Sequence, residues 1–129
     1  MPAAADLQTL IVDDQRSVRA LVRACLMEMG IFRIAEAEDG AAALQILSVN
    51  RQHLILSDLN MPNLDGLGLL RAVRRNPATA KTAFIMLTSR ADTALVQEAV
   101  SLGVNNYIVK PFTMDALRRK IEAVFGRLT

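Results

Sequence analysis

Asp13, Asp14, Asp58, Thr88 and Lys110 are scattered along the 129-residue chain, yet each stands at the carboxyl end of a short apolar run. Brought together, such a set has a narrow chemistry. Three clustered carboxylates repel one another, so either one takes up a proton or a cation neutralises them. A hard cation with oxygen ligands is the better match, and Mg²⁺ binds a few protein oxygens, keeps waters and completes its shell with phosphate. Lys110 offers a positive charge to a phosphoryl oxygen and Thr88 a hydroxyl donor. The set reads as a phosphoryl-transfer site whose nucleophile is a carboxylate.

Taken singly, each residue has a plainer reading. Asp13-Asp14 could be a turn or a helix start, Asp58 a solvated strand end, Thr88 an ordinary β-branched strand residue, and Lys110 a lysine laying its stem on apolar surface. His53, the only histidine, precedes a strand instead of following one and is expected to be a solvated loop residue.

The elements that must position these residues follow from the hydrophobic pattern. Short runs rich in β-branched residues predict strands at Leu7–Val12, Arg33–Ala37, Leu54–Ser57, Ala83–Leu87 and Asn106–Val109. Three of them are almost wholly apolar, as strands covered on both faces should be. Between them apolar residues recur at helical spacing. Val18, Leu21, Val22, Cys25, Leu26 and Met29 form one stripe, expected to face the core and to end at Gly30. Met114, Leu117, Ile121, Val124 and Leu128 form another, capped by Thr113, with Arg118, Arg119 and Lys120 largely outside it. Asp39 and Asp65 are candidate starts of the second and third helices, Gly103 closes the fourth, and Arg75–Thr82 is the candidate exposed loop. Five β-then-α units favour an open, doubly wound parallel sheet, because parallel strands need long right-handed crossovers and a barrel needs eight units. Ligands of such sheets bind beyond the carboxyl ends of the strands, where the five polar residues fall.

At these residues the sequence resembles the response regulator receiver family, from Leu10 to about Phe125. The resemblance rests on LIVDD at Leu10–Asp14, SDLNMPNLDG at Ser57–Gly66, MLTS at Met86–Ser89 and YIVKPF at Tyr107–Phe112. It is greatest to the single-domain, CheY-type chemotaxis regulators, and it implies a flavodoxin-like fold with strand order 2-1-3-4-5 and five helices. It further implies that Asp58 accepts a phosphoryl group, and that Asp13, Asp14, Asp58 and the backbone carbonyl of Asn60 bind Mg²⁺. By the same resemblance Lys110 and Thr88 hold the phosphoryl group, while Thr88 and Tyr107 form the switch. Asn60, Ser89 and Arg90 modulate the reaction, Arg90 standing where CheY carries an acidic residue. A cis Lys110-Pro111 bond is implied as well. The implied partners are a histidine kinase or histidine phosphotransfer protein and a downstream protein target, such as a flagellar motor switch, and the implied role is either a chemotaxis switch or a phosphate sink.

Length and balance bound the alternatives. The chain is expected to be a single receiver domain, residues 1–129 with a core at about 7–128, and a cytoplasmic monomer. A net charge of +2 gives nucleic-acid binding little support, and no apolar run is long enough to cross a membrane. The lone Cys25 rules out an internal disulfide, and the N-terminus lacks the pattern of a signal peptide. An enzyme with a phosphoaspartate intermediate, of the haloacid dehalogenase type, would carry a second acid two positions beyond its nucleophile, where this chain has Asn60. A flavin or nucleotide binder would need a Gly- or Ser/Thr-rich loop after the first strand, where Asp-Asp-Gln-Arg would repel phosphate. A domain cut from a longer regulator is a further alternative.

Overall fold

The computed structural model describes residues 3–89 and 92–129. Among them five strands, β1 (Gln8–Val12), β2 (Arg33–Ala37), β3 (Leu54–Asp58), β4 (Ala83–Thr88) and β5 (Asn106–Val109), alternate with five helices, α1 (Arg16–Glu28), α2 (Gly40–Val49), α3 (Gly66–Arg75), α4 (Thr93–Ser101) and α5 (Met114–Phe125). All strand pairs are parallel and the order is β2-β1-β3-β4-β5, as the resemblance implies. From β1 the chain winds first toward β2 and then, through β3, the other way. The crevice where direction reverses therefore opens between the carboxyl ends of β1 and β3. A 3₁₀ turn at Ala4–Asp6, which no sequence signal announces, precedes the sheet and brings the buried Ala4 into the core.

Alternation along each strand sends neighbouring residues to opposite faces. Ile11, Leu54, Leu56, Ile85 and Leu87 meet Val22 and Leu26 of α1 and Leu117 and Ile121 of α5. Leu10, Val12, Ile55, Phe84 and Met86 meet Ala43 of α2, Leu69, Leu70 and Val73 of α3 and Ala99 of α4. Two cores thus clamp the sheet, which is why β3 and β4 are buried along their whole length.

Asp39, Asp65 and Thr113 cap α2, α3 and α5, accepting from the amides of Ala42, Gly68 and Ala116. Gly30 and Gly103 take positive φ just beyond α1 and α4, the conformation for which they were expected to end those helices. The α1 stripe needs one correction: Leu21 is 56% exposed. At about 100° per residue it lies at the far edge of the stripe from Leu26, so the helix rolls Val22 and Leu26 inward and Leu21 out. In α5, Met114 is likewise 36% exposed, and Leu128 packs on the core from beyond the helix end. His53 is exposed but not idle, since its Nδ1 accepts from the Gln8 amide at 2.9 Å.

At the edge of the sheet away from the crevice, Arg74 of α3 acts as a fastener. It donates to the carbonyls of Ala80, Thr82 and Gly103 and to Asn105 Oδ1, at 2.6–3.1 Å. The connections before β4 and β5 are thereby tied to one side chain.

Candidate functional site

Strand register brings the singled-out residues to one edge. Val12 pairs with Ser57, Asp58 with Leu87 and Thr88 with Val109, so Asp13, Asp58, Thr88 and Lys110 leave the sheet at nearly one level. Backbone contacts hold that level: the Asp13 amide donates to Ala37 O at 3.1 Å and the Lys110 amide to Thr88 O at 2.7 Å. The Lys110-Pro111 bond is cis.

Asp13, Asp14 and Asp58 each bring a carboxylate oxygen to within 4.8 Å of the other two. Asp13 is fully buried and Asp58 nearly so, while Asp14 is exposed. Lys110 Nζ lies 3.0 Å from Asp58 Oδ1 and 3.5 Å from Asp13 Oδ2. The Leu59 amide also donates to Asp58 Oδ1, at 2.9 Å. Two donors therefore fix one oxygen of Asp58, and among the described residues Oδ2 has no hydrogen bond. Burial pushes the Asp13 carboxyl above its ordinary pKa; the Gln15 amide opposes this, the charge of Asp58 adds to it and Lys110 opposes it. Burial pulls the Lys110 ammonium down, but the hydrogen bond and charge of Asp58, then those of Asp13, hold it above its usual value. One lysine thus offsets part of three negative charges. An all-oxygen donor set with surplus negative charge and one solvent-facing carboxylate fits a hard divalent cation and not a nitrogen- or sulfur-seeking metal.

Local backbone chemistry makes this edge possible. Gly66 packs so tightly behind Asp58 that a Cβ there would collide with the Asp58 carbonyl oxygen and approach Leu59 Cα and Met86 Sδ at 2.9 Å. Asn63 turns the β3–α3 connection with φ 67°, a left-handed conformation that Asn tolerates, and its amide nitrogen donates to Asp39 Oδ2 at 2.7 Å. On the other flank Arg19 donates to the Asp13 carbonyl at 2.7 Å while Glu36 holds its Nε at 3.0 Å.

The remaining candidates surround this centre. Thr88 is buried, and its hydroxyl is directed across to the Ile108 carbonyl at 3.5 Å, the outer limit of a hydrogen bond. Thr88, Ser89, Thr93, Val96, Tyr107 and Val109 line a cleft of ≈ 260 Å³. Tyr107 is 37% exposed, with Lys120 Nζ 5.3 Å from its ring centroid. Asn60 and Ser89 are exposed and meet at a residue the sequence reading passed over, Asp92, whose Oδ2 accepts from both side chains. The available signal was an aspartate just before the apolar rhythm of the fourth helix, at its N-cap. Arg90 lies outside the described residues.

Comparison with known proteins agrees with this geometry. The family model described as "Response regulator receiver domain" matches residues 9–122. The chain is 48% identical over 128 residues, 99% of its own length and 99% of the relative's, to "Probable chemotaxis protein CheY" of Rhizobium etli. It is 38% identical to "Chemotaxis protein CheY" of Pseudomonas aeruginosa, over 95% of this chain and 98% of that one. Among solved structures, the chemotaxis response regulator CheY4 of Vibrio cholerae superimposes with a TM-score of 0.84 at 32% identity, covering 92% and 98% of the two chains. The receiver domain of a Pseudomonas aeruginosa sensor histidine kinase, with a magnesium ion coordinated in its active-site cleft, does so with a TM-score of 0.82 at 26% identity, covering 94% and 99%. With the two cores, the strand order and the acidic edge in place, this chain belongs to the response regulator receiver family.

Proposed function

We propose that this response regulator is a chemotaxis switch of the CheY type, phosphorylated on Asp58. The observation that carries the proposal is the placement of Lys110 Nζ 3.0 Å from Asp58 Oδ1, beside two further carboxylates that a divalent cation would neutralise. Asp13, Asp14, Asp58 and the Asn60 carbonyl would hold Mg²⁺. Bound there, Mg²⁺ supplies the positive charge that lets an anionic phosphoryl group approach an anionic nucleophile. The chain's own residues do the rest. Lys110 and the Leu59 amide orient the Asp58 carboxylate, whose oxygen forms a bond to phosphorus as the phosphorus–nitrogen bond of a phosphohistidine breaks and the imidazole takes up a proton. Lys110 and Thr88 then hold the new phosphoryl oxygens, and Arg90 modulates the lifetime of the product.

Output passes through α4, β5 and α5. Withdrawal of the Thr88 hydroxyl from Ile108 toward phosphate would open the cleft it shares with Tyr107, and a ring now outside and under Lys120 has room to turn inward. A bias of a few kcal/mol between two such states shifts their populations substantially. The exposed Val100 of α4, Tyr107 of β5 and Met114 of α5, with Arg119 also exposed on α5, give these elements the mixed apolar and basic character that suits an acidic, amphipathic protein partner. Phosphoryl transfer to a side chain and passage of the signal by contact make the protein a switch, not a turnover enzyme.

Intact mass after incubation with acetyl phosphate and Mg²⁺ tests the reading. A gain of one phosphoryl group that Asp58→Asn abolishes is the expected result, and persistence of the gain in that variant overturns the assignment.

A further inference from the structure

Asp92 occupies the N-cap position of α4, but its side chain does not cap the helix among the described residues. An aspartate in this position ordinarily accepts from an amide of the first turn. Here the carboxylate turns back toward the site. Its Oδ2 accepts from Ser89 Oγ at 2.8 Å, from the Ser89 amide at 3.2 Å and from Asn60 Nδ2 at 3.4 Å. The Ser89 contacts lie within the β4–α4 connection, ahead of the helix, but the Asn60 contact does not. It reaches across from the β3–α3 connection and ties that loop to the β4–α4 connection at the mouth of the acidic crevice.

The same oxygen is set among charges that matter to an incoming anion. Hydrogen bonds from Ser89, then the Asn60 side chain and the charge of Lys110, hold the Asp92 carboxyl below its ordinary pKa, so it is ionised at neutral pH. A phosphoryl group on Asp58 would bring about two negative charges to the place Lys110 already serves. Asp92 stands against that group in two ways. Its charge repels another anion, and it already holds both donors of Ser89, the N–H and the O–H, that face this edge.

We propose that Asp92 is a positioning residue acting as an internal competitor of the phosphoryl group: it holds Ser89 and Asn60 in the unmodified arrangement, and its charge sets how weakly the site takes up phosphate. The inference rests on the function proposed above. It makes a distinct statement, because none of the residues assigned to the reaction is altered in its test.

Beryllofluoride binding to the full chain in the presence of Mg²⁺, measured by calorimetry, supplies the test. Asp92→Asn keeps an oxygen acceptor for Ser89 and removes the charge. It should bind beryllofluoride about fivefold more tightly, about 1 kcal/mol at 1.4 kcal/mol per tenfold. It should also be phosphorylated faster by acetyl phosphate while melting close to the wild type. The gain should shrink at high ionic strength, because partly exposed charges are screened. Asp6→Asn, the same charge change at the opposite edge of the sheet, should leave binding unaltered. Unchanged or weaker binding by Asp92→Asn, or an equal gain from Asp6→Asn, overturns the inference. A wild-type protein that does not bind beryllofluoride with Mg²⁺ overturns the reading of the site itself.

Discussion

Asp13→Asn should stabilise the metal-free protein and abolish its stabilisation by Mg²⁺. Asp13 is fully buried, with Lys110 Nζ at 3.5 Å and the carboxylates of Asp14 and Asp58 within 4.8 Å. At an effective dielectric of about 20, the attraction at the first distance is about 4.7 kcal/mol and the Asp58 repulsion at the second about 3.5 kcal/mol. Asp14 is exposed, and at the dielectric of water it adds only about 0.9 kcal/mol of repulsion. Attraction and repulsion nearly cancel, which leaves the cost of burying the charge, several kcal/mol for an ion and much less for an amide. The amide oxygen can keep the 2.8 Å bond from the Gln15 N–H. A gain of about 2 kcal/mol is expected, which for a domain of this size is about 8 °C in Tm. Melting curves in EDTA and in saturating Mg²⁺ provide the assay. The wild type should gain about 2.7 kcal/mol at a free ion concentration of 100 Kd and the variant nothing, so their order of stability reverses between the two buffers. A variant that melts several degrees below the wild type in EDTA would refute the reasoning and make Asp13 a structural cap of the turn before α1.

Gly66→Ala should cost about 2 kcal/mol or more and impair phosphorylation together with stability, because the new methyl group drives into the Asp58 carbonyl; denaturant melts and acetyl phosphate uptake check both effects. Burial raises the pKa of Glu36, but hydrogen bonds from Arg23 and Arg19 more than offset it and leave the pKa lowered. Its contribution, about 1 kcal/mol, is therefore present above the unfolded value of about 4.3 and lost as pH falls through the folded one. Urea titrations should show Glu36→Gln less stable than wild type at pH 7, with the difference shrinking as pH is lowered below the unfolded value. Leu21→Ser should change stability by less than about 0.5 kcal/mol while Leu26→Ala costs about 2–5 kcal/mol, and similar losses in the two would contradict the roll assigned to α1.

The strands, caps and acidic edge were legible because each depends on local chemistry. Apolar runs mark β3 and β4, and aspartate before glycine marks the starts of α2 and α3. Strand order was not, since Leu10 or Phe84 would be apolar in any order, and the order entered through resemblance. Leu21 was misplaced because spacing defines a stripe while packing chooses which flank of it is covered. Asp92 escaped notice because its role depends on Asn60, 32 residues away, and no periodicity reports a contact between two loops. The direction of the Thr88 hydroxyl likewise depends on β5 lying beside β4.

The grip of Arg74 bears on how α4 is able to move. Gly103, just beyond the carboxyl end of the helix, is held through its carbonyl by a side chain that also secures the starts of two strands. At the other end the carbonyl of Asp92 accepts from the Val96 amide of the first turn, while its side chain bonds to the loops and not to the helix's own amides. A rod of nine residues, about 13 Å long, with one end riveted and the other held only by loop contacts, would tilt instead of sliding were those contacts released. Displacement is then greatest at Thr93 and Val96, beside the cleft that faces Tyr107, and falls toward zero at Gly103. Leverage of this kind would confine movement to the part of the surface nearest Asp58 and leave the opposite edge of the sheet as fixed ground.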